Sequence, residues 1–236
     1  NGNTFGHDCG DFDRDGDLDV FSVEIAHAWA GSSSDRSRLL VNDGGAGAAL
    51  AFSRPPLEET GIDRAHDTLF WDEGDINAGF VDFDNDGYLD LVLHAGAYSG
   101  GGLHLFRQMP AGGFRDITDD VDVAAPRACA MVLADYDLDG DVDVFAGTQP
   151  GRVLLLENRA GQVANWTRIT LEGKGPPGGA NRAAIGARVT VTSGDLVQVD
   201  EVRTGVGHFG RQDELPLTFG FNDRCDDLTI EVRWTN

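Results

Sequence analysis

The chain has no run of about 18 apolar residues, so no segment of it is built to cross a bilayer as a helix. It is poor in bases, with 18 Lys and Arg against 40 Asp and Glu and a formal charge of -22. Such a surface repels phosphate, which argues against nucleic acid and anionic membranes as partners and in favour of cations. Cysteine is scarce. Cys9, Cys129 and Cys225 fall in no Cys-x-x-Cys spacing, which disfavours a zinc or thioredoxin-type site and allows at most one internal disulfide, the remaining thiol being expected to be buried. The six histidines form no His-x-x-x-His pair; His7 and His66, beside Asp8 and Asp67, are the two worth inspecting. No Gly-x-Ser-x-Gly nucleophile motif is present. The chain starts Asn1-Gly2-Asn3, without initiator Met or signal peptide, and the expectation is a processed or excised piece, with any export signal upstream of it.

What is abundant is glycine, 32 residues, in a chain that is 41% hydrophobic. Clusters such as Gly44-Gly45, Gly100-Gly101-Gly102 and Gly112-Gly113 separate short apolar runs, the punctuation of an all-β protein with a real core. Gly205-Val206-Gly207-His208-Phe209-Gly210 matches Gly-x-Gly-x-x-Gly, but Pro216 in a strand-like run follows where a dinucleotide site needs a helix. A hairpin turn is the better reading.

One nonapeptide, Asp-x-Asp-x-Asp-Gly-x-x-Asp, occurs three times, starting at Asp11, Asp82 and Asp135. The starts lie 71 residues apart (11 to 82) and then 53 (82 to 135), enough for one four-stranded propeller blade each. Strands lead out of the repeats as Val20-Phe21-Ser22-Val23, Leu91-Val92-Leu93-His94 and Val144-Phe145-Ala146-Gly147. A further strand follows each, as Leu39-Leu40-Val41, Leu103 to Phe106 and Val153 to Leu156. The longer first interval is read as one decorated blade, with insertions between Glu24 and Arg38 and around Asp63 to Asp75.

Carboxylates at positions 1, 3 and 5 of a tight loop converge on one point, and a hard cation taking six to eight oxygens at about 2.3 to 2.6 Å satisfies them. The predicted ligands are Asp11, Asp13, Asp15, Asp17 and Asp19 in the first loop, Asp82, Asp84, Asp86, Tyr88 and Asp90 in the second, and Asp135, Asp137, Asp139, Asp141 and Asp143 in the third. Position 7 is Asp17, Tyr88 or Asp141, so its backbone carbonyl is the expected donor. Position 6 is always Gly, as a left-handed turn requires. Positions 2 and 8 (Phe12, Phe83, Tyr136; Leu18, Leu89, Val142) are apolar throughout and are expected to pack into the blade. An EF-hand would need Glu at position 12, where Ser22, Leu93 and Ala146 stand. Merely solvated acidic turns would not repeat a five-position constraint three times. About three Ca2+ ions are therefore expected, and twelve ligand carboxylates account for the charge falling from -22 to -10.

At these residues the chain resembles FG-GAP repeats, the calcium-binding blades of integrin-α-like propellers, over roughly residues 1 to 162. From Asn165 it is similar to the ASPIC/UnbV domain of cartilage acidic proteins and bacterial secreted proteins. That likeness rests on Asn165-Trp166-Thr167-Arg168-Ile169-Thr170-Leu171-Glu172-Gly173, Asn181-Arg182-Ala183-Ala184-Ile185-Gly186-Ala187-Arg188-Val189-Thr190-Val191, Gln198 to Gly207, and Ile230-Glu231-Val232-Arg233-Trp234. Phe219-Gly220-Phe221-Asn222 departs from the usual Phe-Gly-Leu-Gly, and Trp234-Thr235 from Trp-Pro. Asn165-Trp166-Thr167 is formally a glycosylation acceptor, but its place in this signature points to a structural role.

The expected fold is all-β: a partial β-propeller of three FG-GAP-type blades over 1–162, then a C-terminal β-sandwich-like domain over 163–236. Known propellers close with about four to eight blades, so an upstream segment or another chain is expected to complete the ring. The resemblance implies a secreted or cell-surface scaffold engaged in adhesion or in binding a protein or glycan, with no catalytic residues. Two rivals are a propeller-based enzyme on extracellular polysaccharide and a structural component of a surface filament or matrix. The enzyme would show an aromatic-lined cleft and a close carboxylate pair outside the loops.

Overall fold

The computed structural model describes residues 3–44, 50–66, 69–96, 98, 101–121, 128–148, 151–175 and 178–235. Its elements are almost all strands, and the meanders follow the acidic repeats. Strands β1 (Asn3–Gly10), β2 (Asp19–His27), β3 (Arg38–Asn42) and β4 (Phe52–Ser53) form the first meander, each antiparallel to the next. The second is β5 (Asp72–Val81), β6 (Asp90–Ala95), β7 (Leu103–Gln108) and β8 (Phe114–Asp116). The third, β9 (Ala128–Ala134), β10 (Asp143–Thr148) and β11 (Arg152–Leu156), has three strands among the described residues. In each meander the acidic nonapeptide joins the first strand to the second, and the strands read from the sequence fall in β2, β6 and β10 and in β3, β7 and β11.

The extra residues of the first interval form a 3-10 turn at Ala28–Ser33 and a stretch holding the short helix α1 (Leu57–Thr60). One arrangement here has no signature in the repeat. The far end of β2 pairs with the start of β5 (Ile25 with Gly74, Ala26 with Glu73, His27 with Asp72) and joins two meanders into one eight-stranded sheet.

Packing follows from alternation along the strands. Phe12, Phe21, Leu39, Phe80, Leu91, Leu93 and Phe106 bury one core between the first two meanders. Val81, Val92, Leu103, Met131 and Leu133 bury a second between the second and third. The middle meander is thus covered on both faces, and every residue of β6 is buried, as a blade between two neighbours should be.

The remaining strands are β12 (Asn165–Ile169), β13 (Arg188–Ser193), β14 (Leu196–Glu201), β15 (Leu217–Asn222) and β16 (Leu228–Arg233). They form a two-stranded sheet, β12-β15, and a three-stranded one, β14-β13-β16. Val189, Val191 and Leu196 from one sheet meet Leu217, Phe219 and Phe221 from the other in a shared core, which makes this part a small sandwich. Asn222, where the resembled family usually carries Gly, has φ +55, a conformation Asn tolerates better than most residues.

The link from β14 to β15 does more than connect. Gly205 to Gly210 forms a turn closed by a bridge between Val206 and Arg211, as the hairpin reading expects. The turn lies on the first strands of the first two blades, and Asp213 just beyond it reaches the first strand of the third. Gly207 N–H donates to His7 O, and His208 N–H to Asn77 Oδ1. Arg211, only 5% exposed, donates to Ala78 O, to Asp213 (2.5 Å) and to Asp8 (3.4 Å). Asp213 in turn accepts from Leu133 N–H at 2.9 Å. A buried guanidinium is tolerable only when its donors are met, and here Asp8 of β1, Ala78 of β5 and Asp213 of the link itself supply the acceptors. The chain's own C-terminal part therefore ties the three inner strands together.

Cys9 is half-buried and Cys225 exposed, both as free thiols. The Cys129 side chain and Asp67 lie outside the described residues.

Candidate metal centres

Each acidic loop is a chain of Asp side chains accepting N–H groups further along the turn. Asp13 accepts from Asp15 N–H (3.2 Å) and Asp15 from Asp17 N–H (2.9 Å). Asp82 accepts from Asp86 N–H (3.0 Å) and Gly87 N–H (2.9 Å), and Asp86 from Tyr88 N–H (3.0 Å). In the third loop Asp139 accepts from Asp141 N–H at 3.3 Å. Gly16, Gly87 and Gly140 have φ of +91, +88 and +99, the conformation their identity predicted. Position 4 was not anticipated: Arg14, Asn85 and Leu138 sit at φ +61, +56 and +63. Its variable identity hid a shared backbone strain.

Three groups of carboxylate oxygens converge within 4.8 Å of one another: Asp11, Asp13 and Asp15; Asp82, Asp84 and Asp86; Asp135, Asp137 and Asp143. These are positions 1, 3 and 5 in the first two loops and 1, 3 and 9 in the third. Position 9 has a second occupation in every copy. Asp19 accepts from Phe12 and Asn42 N–H, both 2.8 Å. Asp90 accepts from Phe83 (3.1 Å) and Gln108 (2.7 Å), and Asp143 from Tyr136 (3.2 Å) and Asn158 (2.8 Å). One carboxylate thus pins the loop to the end of the third strand, and each oxygen keeps a further lone pair.

Positions 2 and 8 do not all pack inward. Phe12 is buried, but Tyr136 is 45% exposed and leans edge-on against Phe145 at 6.1 Å. Among the described residues its ring is covered on one side only, by Phe145 of its own blade.

The electrostatics are those of crowded anions. Burial, opposed by the Gly16 N–H bond and reinforced by neighbouring aspartates, pushes Asp11 up to about 7. The same causes raise Asp82 to about 8, and burial raises Asp19 to about 6. Asp141 is raised to about 7 by burial and by Asp139 and Asp143. Buried oxygens of Asp11, Asp84, Asp135 and Asp141 have no hydrogen-bond donor, a state that costs free energy unless a cation meets them. An all-oxygen, carboxylate-rich donor set fits calcium and suits neither zinc nor copper. In the second loop Arg107 also reaches Asp84 (2.7 Å) and Asp86 (2.9 Å), an internal cation that sequence spacing could not announce.

All three loops face the C-terminal sandwich. Arg188 donates to Gly16 O, and Asn222 N–H to Asn85 O at 2.7 Å. Gly220 approaches Asp82 and Asn85 so closely that a Cβ would collide with both. Trp166 covers Gly140, leaving no room for a side chain there. Glu214 accepts from Asp135 N–H at 3.1 Å. Loops two and three also touch each other, with Asn85 Nδ2 donating to Gly140 O at 2.9 Å.

With this geometry described, comparison with known families finds two matches. Residues 82–146 match the FG-GAP-like repeat and residues 177–236 match the family described as ASPIC and UnbV. Both fall on the stretches that carry the resemblance, and in the same order. No curated protein matches the chain.

Proposed function

We propose that this chain is a calcium-loaded binding scaffold that works outside the cell, with metal as a structural element and no catalytic role of its own. The observation that carries the reading is the set of buried carboxylate oxygens without donors, grouped at the same place in three successive blades. The proposed ligands are the side chains at positions 1, 3, 5 and 9 of each loop and the carbonyls of Asp17, Tyr88 and Asp141. Calcium would neutralise carboxylates that otherwise repel each other, and its binding free energy would become folding free energy. The division into a blade part and a sandwich part near residue 163 belongs to the same proposal, as does completion of the ring by upstream sequence or another chain. Among the described residues no helix is long and apolar enough to cross a membrane. The matched families support an extracellular setting, in which affinities of about 10⁻⁴ to 10⁻³ M suffice.

The test is elemental analysis of metal content together with thermal unfolding in millimolar calcium and in excess chelator. About three calcium ions per chain and a midpoint that falls by ten degrees or more on chelation, roughly the effect of a few kcal/mol, are the expected outcome. No bound calcium and an unchanged midpoint would sink the reading.

A further inference from the structure

A cleft of about 470 Å³ lies far from the acidic loops, between the link that precedes β5 and the turn that follows β8. Beneath it is a buried ion network. Arg64 holds fully buried Asp75 through two bonds of 2.9 and 2.5 Å and lies 3.3 Å from Glu73. Glu73 is also held by Arg36 (2.5 Å) and by His66 (3.0 Å). Four charges taken out of water stabilise a fold less than an apolar floor would, and groups of this kind gather where side chains must be held in fixed positions.

What the network fixes is a set of aromatic faces. His66 stacks on Trp71 with ring centres 4.2 Å apart and planes 5° from parallel, and Arg36 lies 5.4 Å from the same indole. At the lip, His27 Nδ1 bonds Asp72 at 2.6 Å and Nε2 faces the Tyr98 hydroxyl at 3.3 Å. The His27 ring carries Trp29 stacked at 5.0 Å, and that indole is 74% exposed. The Trp29 indole is thus a flat aromatic face that rests on the His27 ring and is presented to water beside the cleft.

We propose that this cleft and its Trp29 shelf bind a neutral saccharide. A sugar ring offers one face of C–H bonds that packs on an aromatic plane and a rim of hydroxyls that donate to carboxylates. Asp72 and Tyr98 stand beside the shelf to receive them, and Asp63, Asp116 and Asp119 line the polar wall. Those same carboxylates disfavour anionic ligands. Hydrolysis is a poor fit. Burial raises the Glu73 carboxyl, but Arg36, Arg64 and His66 outweigh it and hold it below its ordinary value, whereas glycoside cleavage needs an acid with a raised one.

This rests on the glycan arm of the scaffold reading. The experiment is a panel of immobilised neutral hexose and N-acetylhexosamine oligosaccharides, with sulfated and amino sugars beside them, probed with the calcium-loaded protein. The best neutral glycan is then titrated against Trp29→Ala, Trp29→Phe and Asp72→Asn. Retention of neutral glycans is expected, weakened about tenfold or more by Trp29→Ala and Asp72→Asn, largely kept by Trp29→Phe, with the unfolding midpoint unchanged in all three. Retention of no neutral glycan, equal affinity across the variants, or capture of amino sugars alone with displacement by tetramethylammonium would overturn it. Metal analysis of the same protein separates the two failures. A calcium-loaded chain that retains no glycan loses only the saccharide site, and a metal-free one loses the calcium scaffold.

Discussion

Leu138 is the residue where the demands of the loop and of the side chain conflict most openly. It stands at φ +63 and is 62% exposed, so it carries the left-handed penalty of an L-residue, about 1 kcal/mol or more, with little burial to offset it. Asn85 occupies the same position in the second loop and uses its side chain to bridge to Gly140 and Gly161. Replacing Leu138 with Gly should therefore stabilise the calcium-loaded protein by roughly 0.5–1 kcal/mol, less the entropy that Gly adds to the unfolded chain. Thermal unfolding of L138G in calcium checks this. A lower midpoint would mean that Leu138 makes a contact which its exposure hides.

At the scale of the loop, the raised carboxyls make pH a probe of metal occupancy. Asp11, Asp82, Asp141 and Asp19 titrate at about 7, 8, 7 and 6 when folded and have an ordinary value of 3.8. Each binds its proton more tightly in the folded state, so its favourable contribution is full below about 3.8 and is lost as pH rises through the folded values. In chelator, then, the midpoint should rise as pH falls from 8 to 6. With saturating calcium the same carboxylates are held ionised and the rise should vanish or reverse, because protons compete with metal. Parallel pH slopes with and without calcium would show that the metal is not at these carboxylates. The fixed residues of these loops were legible in sequence because each answers a local need: an oxygen toward the centre, or a glycine at the turn. Arg107, the double role of Asp19, Asp90 and Asp143, and the strain at position 4 were not legible. They depend on where the third strand returns or on a backbone angle that several residue types can be forced to adopt. The blade strands were readable from alternation, but the pairing of β2 with β5 was not, since it joins segments that no local period relates.

The three loops and the sandwich form one continuous joint in the whole molecule, and metal occupancy should govern that joint. Arg188 on Gly16, Asn222 on Asn85, Trp166 on Gly140 and Glu214 on Asp135 all bond or pack against loop backbone. Without a cation, repulsion among the carboxylates favours opened loops, and an opened loop withdraws the surface on which the sandwich sits. Binding linkage runs both ways: whatever docking contributes to metal affinity, metal contributes to docking. Chelation should therefore raise hydrogen exchange at the contact residues of β12, β13 and β15 at least as much as in the loops, while the sandwich core around Val189 and Val191 stays protected. Trp166→Ala, which uncovers Gly140 without touching a ligand, should in return weaken calcium binding at the third loop by about fivefold or more, the low end of ordinary coupling. Calcium titration of W166A beside exchange mapping of the parent chain decides the matter. Unchanged affinity together with unchanged exchange in the sandwich would mean that the two parts meet as rigid bodies and that the metal serves each blade alone.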